Sequence, residues 1–206
     1  MKLYLSSYLL GNEASRLAGL APFGRIGYIN NAQDFSTSDI EKKNERKARE
    51  MGQLSDLGLT VEHVDLAVYF HEPEKLARKL DELGAVFLCG GNVFVLRQAM
   101  KLSGMDTYLQ DLPDSSDFLY AGYSAGPCVL GPTLKVYAIV DDASDTPYKG
   151  LNEVIWDGLG LLDFNFMPHW DSDHPESTAI DREIEACKKA HLPYRAIRDG
   201  DVIILE

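Results

Sequence analysis

Cysteine, basic charge and long apolar runs are what this 206-residue sequence has least of. Its three cysteines, Cys89, Cys128 and Cys187, are far apart and form no CxxC pair. An odd number at such spacing offers neither a disulfide framework nor a structural zinc site, so free thiols in a reducing compartment are expected. No apolar run approaches the roughly 20 residues that a membrane-spanning helix needs. The opening stretch, MKLYLSSYLLGNEAS, is too short in its apolar part for a signal-peptide core. The cytoplasm is therefore the expected location. Positive charge is scarce as well: 20 Lys+Arg stand against 32 Asp+Glu, a formal net charge of -12. Nucleic acid and anionic membrane surfaces repel such a chain, so neither is an expected partner. The densest basic stretch, residues 42–49, is interleaved with Glu41, Glu45 and Glu50 and reads as a solvated helix face. Internal repeats and low-complexity linkers are also missing, and nothing in the sequence addresses the oligomeric state.

What remains is the composition of a globular α/β protein, 45% hydrophobic and 25% charged. The length fits one domain over residues 1–206. Short apolar runs alternate with amphipathic stretches, as in a sheet built from βαβ units. The expected strands are residues 1–8, 25–29, 60–65, 85–89, 117–122, 136–140 and 162–167. Helices are expected over 11–20, 38–57 with a capping box at Ser38, 73–83, 93–100 and 176–190. Residues 194–205 read as two strands joined at Asp199-Gly200 by a type I′ turn. The continuous apolar runs 85–89 and 117–122 point to central strands buried on both faces of a mostly parallel sheet.

Gly122-Tyr123-Ser124-Ala125-Gly126 matches the G-x-S-x-G elbow, in which a serine sits on a sharp strand-to-helix turn. Bulky neighbours would collide with the strand and helix there, hence the glycines. The same pentapeptide also serves as a plain tight turn, so its setting matters. An apolar strand leads directly into it, and Gly90-Gly91-Asn92 follows a second such strand. In a parallel sheet both turns lie on the carboxyl edge, where sites form. The backbone N–H groups of Ala125 and Gly91 can then supply an oxyanion hole for chemistry at Ser124.

A serine needs a base. Of the five histidines, His169 alone follows an apolar strand directly, in Phe166-Met167-Pro168-His169-Trp170. His63 lies in a strand, His71 in a polar loop and His191 behind a helix, with no comparable setting. His169, Asp171, Asp173 and His174 can also be read as metal ligands. Capping and loop chemistry, with Asp173 and Glu176 before a helix, explains that run equally and is preferred; no metal or cofactor is expected. Asp199, Asp141 and Asp142 are rival carboxylates for orienting the imidazole, and local sequence does not choose between them.

Taken together, residues 87–96 (FLCGGNVFVL), 122–126 (GYSAG), 158–169 (GLGLLDFNFMPH) and Arg198-Asp199-Gly200 resemble the peptidase E family of serine hydrolases. The resemblance implies a flavodoxin-like, class I glutamine amidotransferase-like three-layer α/β sandwich. It also implies Ser124 as nucleophile, His169 as base and Asp199 as third member, where the family often has glutamate. The Gly91 and Ala125 amides fall on the oxyanion hole. The activity implied is hydrolysis of small peptides. The alternatives are an esterase or amidase acting on a non-peptide acyl group, or a non-catalytic binding protein of the same fold. Best-known members prefer N-terminal aspartate and carry an arginine after the histidine. Here Ser177-Thr178-Ala179-Ile180 holds none before Arg182, so aspartyl preference is not expected.

Overall fold

The computed structural model describes residues 1–113, 115–151 and 153–206. Its strands are β1 (Lys2–Ser6), β2 (Arg25–Ile29), β3 (Thr60–His63), β4 (Ala85–Leu88), β5 (Leu119–Tyr123), β6 (Asn165–Met167), β7 (Tyr194–Ala196) and β8 (Val202–Leu205). The helices are α1 (Ala14–Leu20), α2 (Ile40–Asp56), α3 (Pro73–Leu83), α4 (Val93–Ser103), α5 (Met105–Gln110), α6 (Ala125–Cys128) and α7 (Ser177–Lys189). Six strands form the main sheet in the order β3-β2-β4-β5-β1-β8. All neighbours pair parallel except β8, which runs antiparallel to β1. Helices flank this sheet, the mostly parallel α/β architecture expected. Among the described residues no helix is long and apolar enough to cross a membrane.

Position in the sheet follows composition. Every residue of β4 (AVFL) and β5 (LYAGY) is buried, as unbroken apolar runs in central strands require. The edge strands β3 and β8 are only partly covered. Helix α3 begins at Pro73, whose missing N–H costs nothing in the first turn. It buries Leu76, Leu80 and Leu83 on one face and ends at Gly84 in the left-handed conformation.

Three local expectations are corrected. The cap of α2 is Asp39, which accepts the N–H groups of Glu41 and Lys42, in place of Ser38. Residues 136–140 do not extend into a strand: Lys135–Ile139 is a 3-10 helix that buries Val136 and Tyr137 against α7. A short apolar run records only that it must be buried, and a helical turn satisfies that as well as a strand. Finally, 194–205 is not a hairpin. Strand β7 pairs parallel with β6 in a separate two-stranded sheet, while β8 joins β1. A type I′ turn needs two residues at positive φ, and here Gly200 has φ +98° while Asp199 does not share that conformation. The chain instead crosses at Asp199-Gly200 from the small sheet to the large one, held by the Asn12 N–H donating to the Gly200 carbonyl at 2.7 Å.

Candidate active site

Ser124 joins β5 to α6 with φ 51° and ψ -111°, a conformation that costs a non-glycine residue about 1–3 kcal/mol. Both flanking glycines are explained by one atom. A Cβ on Gly122 would lie 2.6 Å from the Leu88 carbonyl oxygen of β4, and one on Gly126 would lie 2.8 Å from it. The sharp turn therefore requires the neighbouring strand to press against it. Gly91 follows that strand at φ +148°, where a Cβ would meet the Ala32 carbonyl oxygen at 2.3 Å. Among the described residues, neither the Gly91 nor the Ala125 N–H donates a hydrogen bond within the protein. Both residues line one small cavity with Ser124. Such free amides beside a hydroxyl can stabilise an oxyanion.

His169 follows β6 in the small sheet, so it reaches the site from a different sheet than the one carrying Ser124. Its Nδ1 lies 2.7 Å from Asp199 Oδ1. Ser7, fully buried at the end of β1, ties the pair together. Its Oγ donates to Asp199 Oδ1 at 2.8 Å and accepts the His169 backbone N–H at 2.8 Å. The Asp199 N–H in turn donates to Ser172 Oγ at 2.8 Å. A carboxylate facing Nδ1 holds the proton on that nitrogen and leaves Nε2 as the basic lone pair. Burial pushes the His169 pKa below the ordinary value, opposed by the hydrogen bond the ring donates to Asp199 and reinforced by His174. The imidazole is therefore neutral near pH 7. His174 stacks on it with ring centroids 3.7 Å apart and planes 7° from parallel, and Tyr8 meets both rings edge-on.

Asp141 and Asp142 are directed elsewhere. Asp141 accepts the Val93 N–H at 2.7 Å at the start of α4, and Asp142 is held by the Ser144 hydroxyl and N–H. Asn92 caps α4 through Phe94 and Val95 and also donates to the Asp142 carbonyl at 2.9 Å, strapping this loop to the site. Ser124, His169, Gly91 and Asp141 all line one cleft of about 740 Å³. Among the described residues no hydrogen bond joins the Ser124 hydroxyl to the His169 ring, although both line this cleft, a looseness common in sites without substrate.

The expected Asp173–Glu176 capping does not form; instead His174 Nδ1 accepts the Glu176 N–H at 3.3 Å. Asp171 pairs with Arg198. His169, His174 and Glu176 bring one donor atom each within 4.8 Å. The stacked imidazoles hold their lone pairs in nearly parallel planes, whereas ligands of one ion converge on it. His63 bonds Asn30 at 2.9 Å, and His71 and His191 are exposed. The basic stretch 42–49 is not wholly solvated helix face: Arg46 and Arg49 line the cleft from α2. Beside them Glu50 is 3% exposed and accepts the Tyr28 and Tyr123 hydroxyls, its pKa raised by burial.

Sequence reasoning missed Ser7, Tyr8 and the arginines, and it considered His174 only as a possible metal ligand, not as the ring that stacks on His169. Ser7 had one available signal, since it directly follows an apolar strand and so lies on the edge where sites form.

The sequence model of the family described as Peptidase family S51 matches residues 36–206. An uncharacterized peptidase of Listeria monocytogenes is 30% identical over 119 residues, 58% of this chain and 55% of that protein. Peptidase E of Streptomyces coelicolor is 29% identical over 164 residues, 77% of this chain and 61% of that protein. The chain thus spans little more than half the length of these curated relatives. Among solved structures, a Listeria monocytogenes EGD-e protein assigned to peptidase E superposes with TM-score 0.72 at 21% identity, covering 100% of this chain and 98% of its own. A peptidase from an acI-B1 Actinobacterium superposes with TM-score 0.63 at 14% identity, covering 100% and 83%.

Proposed function

The chain belongs to peptidase family S51, and from that premise we propose that it is a serine hydrolase cleaving small peptides through an acyl-enzyme. In this reading residues 1–206 act as one domain in the cytoplasm and need no cofactor. His169 takes the Ser124 proton as Oγ attacks the scissile carbonyl carbon. The negative charge that develops on the carbonyl oxygen is held by the Gly91 and Ala125 amides. The imidazolium then passes its proton to the leaving amine as the carbon–nitrogen bond breaks. Water repeats the sequence on the ester: His169 takes its proton, the oxygen adds to the acyl carbon, and Ser124 leaves with the proton restored. Asp199 holds the tautomer and stabilises the imidazolium.

The observation that carries this reading is the 2.7 Å bond that buried His169 donates to Asp199 while it shares a cleft with the strained Ser124. The open cleft, about 740 Å³, suits a short peptide. Covalent labelling by a small fluorophosphonate, mapped by mass spectrometry, tests it. Label on Ser124 that disappears in His169→Ala is expected; folded protein that takes no label would overturn the assignment.

A further inference from the structure

A second, smaller cavity of about 30 Å³ lies at the flank of Ser124, between the oxyanion amides and α7. Its walls are largely apolar, including Val93, Val140 and Ile180. Three side chains in its lining are acidic, Asp141, Glu176 and Glu183, and no lysine or arginine lines it among the described residues. Glu183 is only 1% exposed, and its Oε2 has no hydrogen-bond partner among the described residues. The nearby donors are already committed, since the Tyr137 hydroxyl and the Cys128 thiol both donate to the Phe166 carbonyl, at 3.0 and 3.4 Å. A buried polar atom left unpaired is uncommon in folded proteins and calls for an explanation, and an arriving partner is one.

We propose that this cavity receives the substrate side chain next to the scissile carbonyl, and that it selects a short side chain ending in a hydrogen-bond-donating nitrogen, amide or ammonium, over a carboxylate. The inference rests on Ser124 being the nucleophile, because only then does its flank face the reacting bond. A nitrogen donor supplies what Glu183 Oε2 lacks. A carboxylate brings one more acceptor, and one more negative charge, against three acids. The state of the empty pocket agrees: burial, then Asp141 and Glu176, push Glu183 up to about 9, and burial holds Asp141 at about 7. Burial disfavours negative charge in the pocket, so an entering cation can take the place of a proton, whereas an entering anion adds to the charge and can be met only by an acid that stays protonated. A cavity of about 30 Å³ has room for about two water-sized groups, which limits the head group to a few atoms and excludes long basic side chains.

Three anilides of nearly equal size separate the possibilities: asparaginyl, 2,4-diaminobutyryl and aspartyl. The wild type should cleave at least one nitrogen-bearing substrate with kcat/KM at least about tenfold above the aspartyl compound. The faster of the first two tells amide from ammonium. Glu183→Gln, and separately Asp141→Asn, should reduce the diaminobutyryl-over-aspartyl ratio about tenfold while Ser124 still reacts with fluorophosphonate. Labelled enzyme that prefers the aspartyl anilide, cleaves none of the three, or keeps its ratio in both variants overturns the pocket assignment. A wild type that takes no label instead removes the premise, so the two failures are read separately.

Discussion

Two polar regions flank Ser124, and they are built in opposite ways. On one side, Asp199, His169, Ser7 and Ser172 form a chain of bonds of 2.7 to 2.8 Å in which each member is both held and holding. On the other side, Asp141 and Glu183 crowd a small cavity, and Glu183 has a buried oxygen with no partner. Fully satisfied buried networks are rigid, whereas unsatisfied ones carry a standing cost until something fills them. The contrast teaches which side is pre-organised and which waits: in the proposed reading, the geometry of the base is set before substrate arrives, while selection is left to what enters.

The comparison breaks most completely at the atom the two regions share. Ser124→Ala should lower turnover by about 10⁴-fold or more with the fold unchanged, as measured by steady-state kinetics beside circular dichroism. Retained turnover would remove the serine from the mechanism. Next in size is Asp199→Asn, for which kcat should fall by about 10²- to 10⁴-fold because an amide no longer fixes the tautomer. Its pH profile sharpens the point. The acid limb of kcat/KM in the wild type should lie below the ordinary histidine value of about 6.5, because burial favours the neutral ring. Asp199 opposes that shift, so losing its charge should move the limb to still lower pH even as the rate drops. A limb that moves up contradicts the assigned pair. The smallest effect is expected at Ser7→Ala, a positioning residue that touches no substrate in this reading. Loss of its two bonds should lower kcat about tenfold with KM nearly unchanged. An equal rise in KM would mean that Ser7 shapes the pocket and not the imidazole.

Much of this was legible in the chain because local rules dominate there. Runs of apolar residues in β4 and β5 announced central strands, and Pro73 and Gly84 bracketed α3 at its observed ends. The elbow was legible for a steric reason, since only glycine tolerates the approach of the Leu88 carbonyl at 122 and 126. Other features were not. A type I′ hairpin over residues 194–205 was a sound local expectation, yet β6 and β1 offered pairing that pulled β7 and β8 apart. The choice of Asp199 over Asp141 and Asp142 depends on that same divergence, because it places the crossing residue against His169. Ser7 was hidden for a similar reason: it lies 162 residues before His169 in sequence and meets it only through the sheet.

The sequence by itself determined the residue types and the local turns: a strained serine between two obligatory glycines, a histidine at a strand end, and a surplus of acid over base. These follow from sterics and burial within a few residues, which any fold must respect. Only the tertiary structure decided which acid serves the histidine, which serine clamps it, and that Glu183 faces a cavity at the flank of Ser124. Those outcomes depend on which strands pair across the whole chain, and pairing is settled by the burial and hydrogen bonding of all strands together.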